Sequence, residues 1–221
     1  NIGAVNDFNV LLEQARGDYF MWTSDSIVRG NTFIEKAVAR FSSNPRLVLV
    51  SCRFTQRDEK TGKDKIFDPR LSVPLEKTLY RRLKQHTLFY WSDGKGVPIY
   101  GIWDKKKIAG DKLGSCGEWT LDTRFIFRAL SRGEADIIDE NLLLKLTKDR
   151  AAALVLRNND PISRLWRALR YRLKRVLREH FYCSGTVGFV WSIGELSFYE
   201  RLKLTLWHVW VGVRFFLTRK N

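Results

Sequence analysis

Helical and extended patterns alternate along the first part of the chain. The apolar positions of the first fifteen residues have helical spacing and are Ala4, Phe8, Leu11, Leu12 and Ala15. A second helix is predicted through Phe33, Ile34, Ala37, Val38 and Phe41. Continuous apolar runs predict buried strands from Tyr19 to Thr23 and from Leu47 to Phe54. This alternation predicts an α/β fold, with a mainly parallel mixed sheet that is flanked by helices.

The pattern continues less regularly to about residue 150. Residues 57–70 are charged and rich in turn formers, which indicates either a solvated loop or a mobile loop beside a substrate. A short strand is predicted from Ile99 to Trp103, with a brief helix after it. A longer helix is predicted from Glu118 to Arg132, and Gly133 ends it. Two further short strands are predicted, at Ala135 to Ile138 and Leu142 to Leu146.

Residues 151–221 differ in character from the rest of the chain. An apolar helical stripe runs from Ile162 to Phe181, and seven arginines and lysines cover much of the remaining surface of that helix. A second apolar segment, Leu204 to Leu217, is 14 residues long. A membrane-crossing helix needs about 20 such residues. We therefore expect one domain at residues 1–150 and a tail of C-terminal amphipathic helices at 151–221 that lies in the plane of a membrane.

The net charge of +15 favours a polyanionic partner, either nucleic acid or an anionic membrane surface. The excess is concentrated in the tail, where thirteen Lys and Arg residues stand against four Asp and Glu residues. Four of the eight tryptophans also lie there. Because large aromatic residues are interleaved with these bases, a bilayer interface is favoured over a nucleic-acid groove.

The cysteines and histidines give little sign of chemistry. Cys52, Cys116 and Cys183 are far apart and lack metal-binding or disulfide spacing, which favours a reducing compartment. The three histidines show no ligand spacing and are expected to be packed or solvated; they are His86, His180 and His208. The chain begins at Asn1 without a secretory signal pattern, and we expect that a segment precedes it.

The first candidate for chemistry is Asp25, where an apolar run ends abruptly in Ser24-Asp25-Ser26. A carboxylate at the carboxyl end of a strand in an open α/β sheet lies where such folds bind ligands. One or two carboxylates there can also hold a hard divalent cation together with a diphosphate. An ordinary turn or helix cap is the alternative reading of the same three residues.

A wider stretch around Asp25 resembles a known family. The segment "NIGAVNDFNVLLEQARGDYFMWTSDS" is similar to the middle of a family 2 glycosyltransferase of the GT-A fold. The matching features are Asn1, Gly3, Asn9, the run from Ala15 to Tyr19, and Ser24-Asp25-Ser26. The segments "FIEKAVARFSSNPRLVLVSCRF" and "VPIYGIWDKKKIAG" are similar to later parts of that family. The resemblance implies a Rossmann-like GT-A domain whose first nucleotide-binding strand is missing from this chain.

The resemblance also implies how a donor is held. In the family, an Asp-x-Asp type motif binds the diphosphate of a nucleotide sugar through Mg²⁺ or Mn²⁺. Aligned on Gly17-Asp18-Tyr19, this motif keeps one carboxylate here, so Asp25 is the expected metal ligand. The donor-binding residues that the resemblance implies are Asn1, Gly3, Asn9, Ser24, Asp25 and Ser26.

A second marker of the family is an acidic residue at the start of a later helix. Asp122 matches that marker in "DTRFIFRALSRG" and is the expected catalytic base, which takes the proton of the acceptor hydroxyl. Glu118 lies one helical turn earlier and is the other candidate base. Trp119 is expected either to stack on the acceptor or to pack in the core. Any of these carboxylates could instead only meet the helix dipole.

Together these features predict an inverting glycosyltransferase of the hexosyltransferase type. It would act in cell-surface glycan synthesis on a glycan or lipid-linked acceptor, attached peripherally to the cytoplasmic face of a bacterial-type membrane through residues 162–217. One alternative is a non-catalytic glycosyltransferase-like protein that binds a membrane or a partner. Another is a basic nucleic-acid-binding protein, for which duplex binding would depend steeply on salt.

Overall fold

The computed structural model describes residues 4–89, 96–111, 113, 121–147 and 186–218. Several residues singled out above lie outside these ranges, namely Asn1, Gly3, Cys116, Glu118, Trp119, Cys183 and the Arg-rich segment within 151–185. Predictions that concern them, including the boundary between the domain and the tail, stay predictions.

Six α-helices are described, and the predicted ones recur with small shifts of their ends. They are α1 (Ala4–Gln14), α2 (Phe33–Ser43), α3 (Leu79–Phe89), α4 (Lys105–Ile108), α5 (Leu121–Arg132) and α6 (Phe198–Thr218). Two short 3₁₀ helices lie at Pro69–Leu71 and Val97–Tyr100, and residues 186–192 are also helical. In the case of α4, the Asp104 carboxylate caps the helix by accepting a hydrogen bond from the amide of Lys107.

The strands form one mixed sheet, and the expected mainly parallel arrangement is wrong. The strands are β1 (Tyr19–Phe20), β2 (Ile27–Arg29), β3 (Leu47–Asp58), β4 (Asp64–Phe67), β5 (Ile102–Asp104) and β6 (Glu134–Thr147). Their order is β1-β5-β3-β6-β2, with β4 also paired to β3. Among the described strands, the β3–β6 pair is parallel and the other four pairs are antiparallel.

Two local features explain this difference. First, the charged segment 57–70 is not only a loop, because part of it folds back on β3 as a hairpin that pairs Arg57 with Asp64. The Asp58 carboxylate closes the turn by accepting hydrogen bonds from the amides of Lys60 and Thr61. Second, the short strands β2 and β5 run against their longer neighbours. The direction of such short strands is defined by their pairing and cannot be predicted from the periodicity of their sequence.

The two strands expected between residues 135 and 146 are one continuous strand. β6 follows β3 in parallel, with register irregularities near Asn141. Asn141 donates a side-chain hydrogen bond to the Thr55 hydroxyl across this irregular region. The polar residues between the two apolar runs therefore mark a bulge and not a turn.

The sheet separates two hydrophobic clusters. On one side, α1, α3 and α5 cover a cluster that includes Trp22, Trp103 and Phe125, whose rings meet edge to face. On the other side, α2 buries Phe33 and Phe41 against β3 and β6. Helices on both faces of one sheet confirm the α/β class.

Candidate functional site

A cavity of about 670 Å³ opens at the edge of the sheet where β3 and β6 end. Its described lining consists of Ser24, Asp25, Ser26, Glu59, Tyr100, Lys145, Leu146 and Thr147. Small-molecule sites are commonly about 300–1,000 Å³. The cavity is therefore large enough for a small ligand and contains the Ser-Asp-Ser segment predicted as a binding motif.

Ser24-Asp25-Ser26 lies in a turn between β1 and β2. The predicted strand from Tyr19 to Thr23 is shorter than expected, because β1 pairs through only two residues with the short β5. The Ile27 amide closes the turn on the Ser24 carbonyl at 3.1 Å, and the hydroxyls of Ser24 and Ser26 are 3.0 Å apart. The Ser26 carbonyl accepts from the Leu146 amide at 2.7 Å. The turn is thus attached to β6.

The guanidinium of Arg29 contacts the residues that directly precede this turn. It donates to the Thr23 hydroxyl at 2.6 Å and to the carbonyls of Trp22 and Tyr100. Burial lowers the pKa of Arg29, although nearby Cys52 and Tyr100 oppose that effect. Arg29 therefore connects the segment before the Ser-Asp-Ser turn to the Tyr100 side of the cavity.

The other walls bring in three side chains that were not predicted. Tyr100 comes from the 3₁₀ helix before β5, Lys145 from β6, and Glu59 from the β3–β4 turn. The Lys145 ammonium lies 5.3 Å from the centre of the Tyr100 ring. Burial raises the pKa of the Tyr100 hydroxyl, and the charge of Asp122 raises it further, while Arg29 lowers it. Tyr100 is therefore within electrostatic reach of the predicted base.

Asp122 lies in the first turn of α5 and is not one of the described residues that line the cavity. One of its carboxylate oxygens accepts hydrogen bonds from the amide of Thr123 at 2.7 Å and from the hydroxyl of that residue at 3.2 Å. The other oxygen approaches Gly96 so closely that a Cβ at Gly96 would lie 1.9 Å from it. Gly96 is thus needed to leave space for this carboxylate, which is turned toward the 3₁₀ helix that carries Tyr100.

Asn9 has a different position from the one expected for a donor ligand. Its side-chain amide donates to the Leu113 carbonyl at 3.1 Å, and its side-chain oxygen accepts from the Leu113 amide at 2.8 Å. Asn9 therefore braces the backbone just before the segment that contains Glu118. It does not line the cavity described above. Its role in donor binding stays a prediction.

A weak sequence signal existed for two of the unpredicted side chains. Lys145 is the single charged residue in the apolar run from Leu142 to Leu146. Glu59 belongs to the charged segment that was also read as a substrate-adjacent loop. Tyr100 gave no such signal, because an aromatic residue in an apolar run is typical of a core position.

The chemistry of the lining bears on metal binding. Among the described residues, no group of three or more His, Cys, Asp or Glu side chains could hold a metal ion. The cavity has the carboxylates of Asp25 and Glu59 and the ammonium of Lys145, a net formal charge of −1. Mg²⁺ is commonly bound through one or two carboxylates, with substrate phosphates and water as further ligands. This donor set fits a divalent cation that a diphosphate helps to hold.

The chain matches none of the protein-family models and none of the curated proteins with which it was compared. The resemblance to family 2 glycosyltransferases therefore stays a prediction from the sequence motifs, chiefly those around Ser24-Asp25-Ser26 and Asp122.

Proposed function

We propose that the chain is a GT-A-type glycosyltransferase that transfers a sugar from a nucleotide-sugar donor to an acceptor hydroxyl. One observation carries this proposal. The Ser24-Asp25-Ser26 turn lines a cavity whose wall contains Tyr100, and the Asp122 carboxylate lies against Gly96 at the start of the 3₁₀ helix that carries Tyr100. These two motifs are about a hundred residues apart in the sequence, and each matches a marker of the same family.

The cavity can accommodate the donor diphosphate. The hydroxyls of Ser24 and Ser26 can donate hydrogen bonds to phosphate oxygens, and Lys145 supplies a positive charge. Two carboxylates in the same lining would repel a diphosphate that arrived alone. Asp25, together with Glu59 of the same lining, would hold Mg²⁺ or Mn²⁺. The metal, when bound, would neutralise charge on the diphosphate as it leaves.

Asp122 would act as the base. The acceptor oxygen attacks the anomeric carbon of the donor while the bond from that carbon to the diphosphate oxygen breaks. The acceptor proton passes to the Asp122 carboxylate, and the electron pair of the broken bond leaves with the nucleoside diphosphate. Attack from the face opposite the leaving group inverts the anomeric configuration. The hydrogen bonds from Thr123 hold one carboxylate oxygen, so the other is the one available for the proton.

The test is donor turnover by the full chain with Mg²⁺ or Mn²⁺ and a panel of nucleotide sugars and acceptors. Asp122→Asn is expected to lower kcat by about 10²–10⁴-fold while donor affinity is kept. Asp25→Asn is expected to weaken metal-dependent donor binding. Asp7→Asn makes the same change in the first turn of α1 and is the matched control. Failure to bind any donor, or an Asp122→Asn variant as active as the wild type, would refute the proposal.

A further inference from the structure

In the part of the chain that the structure describes, one side of helix α6 packs on the domain, mainly against α3. Leu204, His208 and Val211 are buried on that side. His208 shares a hydrogen bond with the Thr87 hydroxyl of α3 at 3.0 Å. The indole N–H of Trp207 donates to the Lys84 carbonyl, also in α3, at 3.2 Å. These contacts fix the rotation of α6 about its own axis.

The opposite side of α6 carries large apolar side chains that are 37–69% exposed. We call them the outer stripe, which consists of Phe198, Tyr199, Leu202, Leu206, Val209, Trp210 and Val213. At about 100° per residue, these seven positions fall within about 120° of the helix circumference. An exposed apolar stripe of this length indicates a surface that contacts something other than water.

Basic side chains border the outer stripe. The Lys203 ammonium lies 4.0 Å from the centre of the Tyr199 ring, and the Arg214 guanidinium lies 5.1 Å from that of Trp210. Glu200 is the single acidic residue of α6, and it is bonded to Ser197 in a capping box at the start of the helix. The border of the stripe is therefore positively charged.

The positive charge of this border favours one of the possible binding partners of the outer stripe. Residues 151–185 carry eight Lys and Arg residues against two Asp and Glu residues, so that segment would bring like charge to the border. A second copy of α6 packed on the stripe would also bring like charges together. An anionic lipid surface complements the border, and its acyl boundary accepts the aromatic and aliphatic side chains. No helix in the described part of the chain is both long and apolar enough to cross a bilayer.

We propose that the outer stripe docks on an anionic membrane surface, with α6 parallel to the membrane plane. Lys203 and Arg214 contact lipid headgroups, while Leu206 and Trp210 insert at the acyl boundary. This docking is independent of sugar transfer. It locates the peripheral attachment expected from the sequence on one face of α6.

The test is flotation of the full chain with two kinds of vesicle, phosphatidylcholine alone and phosphatidylcholine with phosphatidylglycerol. The wild type should float with the anionic vesicles and remain behind with the neutral ones. The triple variant Leu206→Gln, Val209→Gln, Val213→Gln should lower partitioning at least about tenfold. The matched control, Leu11→Gln, Ile34→Gln, Ile66→Gln, changes three exposed apolar residues elsewhere and should float like the wild type.

Further variants separate the headgroup contacts from sugar transfer. Lys203→Gln and Arg214→Gln should each lower partitioning into anionic vesicles about fivefold. Asp122→Asn should float like the wild type, so loss of catalysis would leave this proposal intact. Circular dichroism checks that each variant is folded.

Three outcomes would overturn the proposal. One is flotation of the triple outer-stripe variant at the wild-type level. A second is that the wild type binds no vesicle and is a dimer that the triple variant converts to a monomer, which would make the stripe an interface between copies. A third is binding to duplex DNA, but not to vesicles, that the triple variant loses.

Discussion

Acidification should destabilise the protein between about pH 6.5 and pH 5 through two buried histidines. His86 and His208 both contact Phe127, with ring centres 5.6 and 5.5 Å from the centre of its ring. His208 donates from Nδ1 to the Leu204 carbonyl, and its Nε2 lies 3.0 Å from the Thr87 hydroxyl, which also donates to the Leu83 carbonyl. Nδ1 of His86 is buried and has no hydrogen-bond partner among the described residues. Both rings are buried, so protonation of either one in the folded state is unfavourable.

Burial, with a smaller contribution from the neighbouring His208, lowers the pKa of His86 from 6.5 to about 3. Burial also lowers the pKa of His208 to about 4, although its hydrogen bond to Leu204 acts in the opposite direction. Because each pKa is lower in the folded state, the unfolded chain takes up protons first as the pH falls. The stabilisation is therefore complete above the unfolded pKa and is lost as the pH falls toward the folded values.

The size of the effect follows from proton uptake. Each histidine costs about 1.4 kcal/mol of unfolding free energy for each pH unit below its unfolded pKa. Between pH 6.5 and pH 5 this is about 2 kcal/mol for one histidine and about 4 kcal/mol for both. A typical domain has about 5–15 kcal/mol in total, so the loss would be large. Asp58, Asp64 and Glu200, whose pKa values are also lowered, titrate below this range.

Urea denaturation followed by tryptophan fluorescence at several pH values measures this dependence. His86→Phe removes the unpaired nitrogen and should halve the slope of unfolding free energy against pH, with little change in stability at neutral pH. His86→Phe with His208→Asn should abolish the slope in this range, because neither position then carries a side chain that titrates there. A wild-type slope near zero, or a double variant that keeps the wild-type slope, would refute the argument.

Two predictions concern the cavity. Arg29→Lys keeps the positive charge but cannot reproduce the contacts to Thr23, Trp22 and Tyr100. Calorimetry should therefore show that the affinity for the donor is lowered by about five- to thirtyfold. An unchanged affinity would contradict the role of this residue. Gly96→Ala should displace the Asp122 carboxylate and reduce sugar transfer with little change in urea stability. Its control, Gly188→Ala, adds a methyl group to open space in a helical segment, and equal activity of the two variants would count against Asp122 as the base.

The sequence predicted the elements that depend on local pattern. The positions of α1, α2 and α5 follow from helical spacing of apolar residues, and the start of β3 follows from the run beginning at Leu47. Strand direction was not predictable in this way, because an apolar run looks the same in a parallel and an antiparallel pair. β2 is only three residues long and is defined by its pairing with β6.

The residues that line the cavity were also only partly predictable from the sequence. The Ser-Asp-Ser motif could be predicted as a candidate ligand site, because a carboxylate at the end of a strand is a common feature of such sites. Its neighbours could not be recognised, because Lys145 is placed at this edge by the pairing of β6 with β2 and β3. Apolar residues lie on two sides of α6. Their spacing in the sequence therefore could not predict which side packs on α3 and which side forms the outer stripe.

The long strand β3 also has a consequence for how the chain is made. Its first half pairs with β5 and β6, and its partners in β6 are synthesised more than eighty residues later. At about 5–20 residues per second, the run from Leu47 to Cys52 leaves the ribosome roughly 5–20 s before those partners exist. The β4 hairpin covers only Phe54 to Arg57 during that interval. The nascent chain thus presents an apolar strand with two open edges, which makes chaperone binding during synthesis an expected requirement for high yield.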